Sequence, residues 1–197
     1  MPPTVPPPTI PIDASLAPRD RILAAAGQLF HRRGVGATGV DLLIDVAGVA
    51  KATFYRYFPS KDDLVVAWLE DPHTRWFDRV RGEAEAVSST PDGVLAAFFD
   101  GVIGWLEADR IRGCPYLNIA VEIPDTTHPA RLAARAYLAE IERWMLATLQ
   151  AAGREDAQSL SARLMALLCG GVSLSAARHD MAPARVTARS AQRWLAL

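Results

Sequence analysis

The stretch TGVDLLIDVAGVAKATFYRYFPSKDDL, residues 38–64, constrains this chain more than any other. It spells two short helices joined by a tight turn, with the start of a third directly behind. Thr38 is a suitable N-cap, and Asp41 three residues on can complete a capping box. Leu42, Leu43, Val46 and Ala47 give an apolar side at helical spacing. Gly48 stands where a helix can end in a left-handed residue at little cost. A second short helix is expected from about Ala50 to Tyr57, with Phe54 and Phe58, at i and i+4, turned inward. Ser60 caps the next helix, with Asp63 at the capping-box position.

Two short helices around a glycine-containing turn match a helix-turn-helix, whose second helix enters the DNA major groove. The residues left on its surface suit that task. Lys51 and Arg56 can neutralise phosphates or reach guanine edges. Thr53 can bond to a base edge or a phosphate, and Ala52 can meet a thymine methyl. Tyr55, Tyr57, Lys61 and Thr38 complete the expected DNA-binding set. The competing reading is a small helical hairpin with a solvated basic face.

The run FYRYFPSKDDL, with RILAAAGQLFHRRG upstream and AGVAKATFYRYF between, resembles the DNA-binding domain of the tetracycline-repressor (TetR) family. The family pattern is a Thr opening the first motif helix, A-G-V-S at the turn, then Y-x-[YH]-F-x-S-K-x-x-L. This chain has Thr38, then Ala47, Gly48, Val49 and Ala50, then Tyr55 through Lys61 and Leu64. Ala50 departs from the usual Ser, which removes a side-chain N-cap worth about 1 kcal/mol. The resemblance implies an all-α protein. Its helix-turn-helix domain would occupy residues 18–66 and a helical regulatory and dimerisation domain residues 67–197. The helix starting near Ser60 would link the two.

Half of the 197 residues are hydrophobic, enough for a substantial core. The net charge is −1, so attraction to DNA must come from a local patch. Residues 18–61 supply one: Arg19, Arg21, Arg32, Arg33, Lys51, Arg56 and Lys61 face only Asp20, Asp41 and Asp45. Two cysteines far apart, Cys114 and Cys169, are no disulfide framework, and a reducing cytoplasm is the expected location. The first residues carry no basic-plus-apolar leader pattern. No apolar run reaches the roughly 20 residues that span a bilayer, so no membrane partner is expected.

Residues 1–17 are Pro-rich and are expected to form a disordered tail. From Pro18 to Arg33, Ile22, Leu23, Ala26, Leu29 and Phe30 form an apolar stripe that Gly34 ends. Asp71 and Pro72 should end the helix that Ser60 opens. Further helices are expected at about 74–88, 91–109, 116–121, 129–152, 154–180 and from Pro183 onward. The stripe of the fourth of these is read as Leu132, Ala136, Leu138, Ile141, Met145 and Leu149. No stretch alternates with a strand's period. The last two helices are the best candidates for a homodimer interface. Ala162, Ala166, Gly170, Gly171, Ser175, Ala176 and Ala177 keep that surface small, and Leu164 and Leu168 supply apolar area. The family resemblance implies a four-helix dimer contact there.

No catalytic or metal-ligand spacing is visible. The four histidines are scattered, no phosphate-cradling glycine loop or nucleophile elbow occurs, and no cofactor is expected. Aromatics instead concentrate between the motif and the last two helices. At helical spacing such residues are commonly plain core, but aromatics with a few polar groups also line small-molecule pockets. The candidate pocket is Trp68, Phe98, Phe99, Trp105, Cys114, Tyr116, Asn118, Glu122, His128 and Tyr137. The leading expectation is a transcriptional regulator, a repressor released from a palindromic double-stranded DNA operator by a small-molecule effector. The alternative is a helical enzyme with an accessory DNA-binding-like domain, built on Cys114, Glu122 and His128.

Overall fold

A computed structural model describes residues 11–108 and 112–196. These residues form ten α-helices, with no strand among them. The chain divides into two compact units, the first ending at Asp71 and the second beginning at Pro72. The boundary expected at 66/67 therefore falls inside a helix.

In the first unit, α1 (Pro18–Arg33), α2 (Val40–Ala47), α3 (Lys51–Tyr57) and α4 (Lys61–Glu70) surround one core. The α1 stripe is buried as its spacing requires: Ile22, Leu23, Ala26, Leu29 and Phe30. Residue 18 is proline at the first helical position, and Gly34 ends the helix. Residues 1–10 of the expected tail lie outside the described residues. Residues 13–16 form a turn: the Ser15 N–H donates to the Asp13 carboxylate at 2.8 Å, and the Leu16 N–H to the Asp13 carbonyl at 3.2 Å.

The motif helices differ from the sequence reading in phase. Helix α2 buries Leu43, Ile44 and Ala47, while Leu42 and Val46 are half-buried. Gly39, not Thr38, is its N-cap, and no side chain caps it. Gly48 ends it at φ 61, with its N–H on the Ile44 and Asp45 carbonyls. That left-handed conformation is one a β-carbon would disfavour. Ser60 forms the expected capping box: its Oγ accepts the Asp63 N–H at 3.1 Å, and Asp63 Oδ2 accepts the Ser60 N–H at 2.9 Å.

The second unit comprises α5 (Trp76–Val87), α6 (Pro91–Ala108), α7 (Pro115–Glu122), α8 (Pro129–Ala151), α9 (Ala157–Arg178) and α10 (Ala182–Leu195). Prolines open α6, α7 and α8 at positions where a missing N–H costs nothing. The buried stripe of α8 is Ala130, Ala134, Tyr137, Ile141, Met145 and Leu149. Leu132 is exposed, as is Ala136, so the expected stripe holds only from Ile141 onward. A tyrosine, not the neighbouring leucine, was the inward residue in the first half.

By length and composition α9 could cross a bilayer, because small residues extend its apolar leucines beyond any uninterrupted run. In this fold Leu160, Leu164, Leu168 and Val172 of α9 are buried inside the second unit. Against α10 the helices come close. A β-carbon on Gly171 would sit 2.8 Å from Thr187 Cβ and closer still to its hydroxyl. Glycine is what lets the two axes approach.

Candidate nucleic-acid interface

Helix α3 is fixed from inside by two phenylalanines. Phe54 is 0 % and Phe58 3 % exposed, with ring centroids 6.2 Å apart. Burying each contributes about 1.5–3 kcal/mol. At about 3.6 residues per turn, Ala52 and Arg56 then lie on the side of α3 away from that core. Lys51, Ala52, Tyr55, Arg56 and Tyr57 are all exposed and Thr53 is half-buried. The sequence-derived residues therefore share one short helix surface.

The polar groups on that surface are held loosely. Lys51 Nζ meets Asp41 Oδ1 at 3.3 Å, but both side chains are highly solvated, so the pair is weak. Lys51 can exchange this partner for a phosphate without a large penalty. The Arg56 guanidinium lies 5.1 Å from the Tyr57 ring centre, and Phe54 meets Tyr55 edge-on at 5.3 Å. These ring contacts restrict two side chains that would otherwise lose more rotamer entropy on ordering. Lys61 sits half-buried at the first position of α4.

Thr38 is a correction to the expected set. It is 0 % exposed, and its Oγ1 donates to the Gly34 carbonyl at 2.7 Å. Its N–H donates to the Val35 carbonyl. The six-residue connection after α1 curls on itself, which turns the hydroxyl inward.

In the second unit, nine aromatic and thiol side chains gather in one cluster, all buried except half-buried Trp144. Trp76 stacks on Trp105 at 4.3 Å and on Phe98 at 6.2 Å, and Phe98 meets Phe99 edge-on. Tyr116 stacks on Tyr137 at 3.7 Å. Phe77 packs edge-on against Phe98, Tyr137 and Trp144. Burial pushes the Cys114 thiol and both tyrosine hydroxyls well above their usual pKa values, so all three are neutral. The Trp76 N–H faces the Cys114 sulfur and slightly eases that rise, but it reaches no acceptor in hydrogen-bond geometry.

One charged network borders the cluster. Arg75 Nε donates to Asp78 at 2.7 Å and Nη2 to Glu140 at 3.0 Å, while its guanidinium covers the Tyr137 ring at 4.7 Å. Burial lowers the Arg75 pKa, but the two carboxylates outweigh it and hold the charge firmly.

Four expected pocket residues lie elsewhere. Trp68 packs inside the first unit, 5.2 Å from Phe30 and 5.4 Å from His31, because it follows Leu64 and Val65 around the inner face of α4. Asn118 and Glu122 are exposed on α7, opposite buried Tyr116 and Ile119. His128 is the N-cap of α8, its Nδ1 accepting the Ala130 N–H at 3.2 Å. The sequence signal that would have recovered Trp76 and Phe77 is their adjacency at the start of an amphipathic helix, directly after Arg75. Among the described residues no cluster of His, Cys, Asp or Glu could hold a metal ion.

A helix-turn-helix unit followed by an all-helical unit with a buried aromatic interior defines a DNA-binding transcriptional regulator of two-part build. Residues 22–68 match the family model for bacterial regulatory proteins of the tetR family, and residues 91–190 match that of the LmrA/YxaF-like regulator C-terminal domain. The chain belongs to the TetR family of transcriptional regulators.

Among its relatives is the HTH-type transcriptional repressor NemR of Escherichia coli, 28 % identical over 58 % of each chain. The aligned part is thus little more than half of NemR. An uncharacterised HTH-type transcriptional regulator of Mycobacterium tuberculosis is 27 % identical over 84 % of this chain and 88 % of its own length. The crystal structure of a TetR-family transcriptional regulator from Streptomyces coelicolor superposes with a TM-score of 0.75 at 26 % identity, covering 89 % of this chain and 96 % of that one. The family is one of non-enzymatic DNA-binding proteins, so the enzyme alternative has no support. The neutral, buried Cys114 thiol is also a poor nucleophile.

Proposed function

We propose that the chain is a homodimeric repressor that binds a palindromic operator through α3 and leaves it when a small molecule enters the second unit. The observation that carries this is the surface of α3. Lys51, Ala52, Thr53, Tyr55, Arg56 and Tyr57 stand on a helix whose other side is anchored by Phe54 and Phe58. Lys61 adds a cation where α4 begins. Residues of this kind read major-groove edges and hold phosphates. The setting is the cytoplasm, which holds the DNA and whose reducing pool keeps both thiols free.

The dimer reading is supported by a groove of about 420 Å³ between α9 and α10, lined by Ala166, Gly170, Leu174 and Val186 among others. Leu174 and Val186 are 48 % and 52 % exposed, unusual for such residues unless a partner covers them. Leu164 and Leu168, expected to supply this surface, are buried within the unit, so Leu174 and Val186 take their place.

The effector reading is supported by the aromatic cluster and by the unpartnered Trp76 N–H within it. Such a donor is offset by an acceptor arriving on a ligand. Arg75, which borders the cluster, is already neutralised by Asp78 and Glu140, which favours an uncharged ligand there. The effector is therefore an uncharged, flat aromatic molecule with a carbonyl or ether oxygen. It can act only by binding the DNA-free form more tightly. The test is release of the purified protein from its operator by a panel of neutral and anionic aromatics. Release by neutral acceptors, weakened in Trp76→Phe, supports the reading. Release by the anions alone contradicts it.

A further inference from the structure

Helix α1 contributes nothing to the DNA-facing set above, yet its first turn reaches both ends of α3. Arg21 Nη1 donates to the Gly48 carbonyl at 3.3 Å, in the turn that precedes α3. Two residues earlier, the Arg19 guanidinium lies 5.7 Å from the centre of the Phe58 ring, directly after α3. A helix of seven residues is only about 10 Å long. Two long side chains diverging from neighbouring positions of α1 thus straddle the recognition helix.

Both arginines have donors to spare. Among the described residues neither is in an ion pair with a carboxylate. Arg21 Nε is buried and has no hydrogen-bond partner, and the bond from Nη1 to the Gly48 carbonyl is long. A guanidinium carries five N–H donors in a planar fork shaped for phosphate oxygens. A carbonyl tether alone would leave most of that fork unused. Arg19 is exposed, with a ring face rather than an acceptor beneath it.

We propose that Arg19 and Arg21 grip DNA phosphates on either side of the groove that receives α3. Arg21 also holds the turn that sets the helix's entry angle. The pair fixes register and orientation and carries no sequence information, which stays with α3.

The test measures binding of the full chain to a mixed-sequence duplex of about 30 base pairs across a salt series. The variants are Arg19→Ala, Arg21→Gln and Arg21→Lys. Gln keeps a donor for the Gly48 carbonyl but loses the charge, and Lys keeps the charge. The slope of log affinity against log salt should fall by about 0.9 for Arg19→Ala and for Arg21→Gln, and Arg21→Lys should restore it. Unchanged slopes in both neutral variants overturn the proposal. So does weaker binding by Arg21→Gln at the wild-type slope, which would leave it a structural tether only. A wild-type affinity that ignores salt would instead remove DNA binding itself.

Discussion

The Tyr137 hydroxyl accepts a hydrogen bond from the Phe77 backbone N–H at 2.8 Å, across 60 residues of chain. Phe77 is the second residue of α5, so this N–H is among the donors a helix start cannot satisfy for itself. Arg75 closes the same junction by pairing with Glu140 of α8 and covering the Tyr137 ring. The first turn of α5 is thereby stitched to α8 beside the aromatic cluster.

Tyr137→Phe keeps the ring stack with Tyr116 and deletes the hydroxyl that accepts the Phe77 N–H and also meets the Tyr116 hydroxyl. The Phe77 N–H is then buried and unpaired, which costs about 1–3 kcal/mol. Urea unfolding followed by circular dichroism should show that loss with an unchanged m-value. Wild-type stability would mean that the junction does not depend on this bond.

Ser60→Ala removes one half of the capping box at α4. A loss of about 1 kcal/mol is expected, with Ser60→Thr retaining most of the stability. Thermal melting of the two variants side by side checks this.

Gly171→Ala forces a methyl against Thr187. Overpacking of this kind costs about 1–3 kcal/mol, and pairing it with Thr187→Ala should recover part of the loss. Gly171→Ala melting at the wild-type temperature would show that α9 and α10 can separate freely.

Alkaline pH should weaken the fold. Burial raises the Cys169 pKa from 9.0 to about 11. A thiol raised in the folded state contributes its full stabilisation below the unfolded value of 9.0, and loses it as pH rises toward about 11. Cys114, Tyr116 and Tyr137 shift in the same direction for the same first cause. Stability measured by denaturant should fall across this window, and Cys169→Ala should fall less steeply. A profile that rises with pH would contradict these burials.

The sequence exposes the motif helices well because each boundary carries its own chemistry: Gly48, Ser60 with Asp63, and the i, i+4 pair Phe54 and Phe58. It exposes long amphipathic helices less well. In α8 the neighbours Tyr137 and Leu138 could each turn inward, and only packing against Tyr116 and Phe77 chooses the tyrosine. Thr38 has a good cap's identity, yet the tight connection after Gly34 makes its hydroxyl a local tie instead. Asn118, Glu122 and His128 have pocket-like chemistry but lie at a helix surface and a helix start, which depends on the rotation of α7 that short segments leave undetermined.

The central claim is that α3 reads DNA. A footprint of the purified chain on the DNA flanking its own gene tests it most directly, with wild type beside a Lys51→Ala, Arg56→Ala double variant. Wild type should protect two half-sites related by a two-fold axis, with centres about 10–10.5 base pairs or a multiple apart. The folded double variant should lose that protection. Equal protection by both proteins, or none by wild type at low salt, would contradict the account.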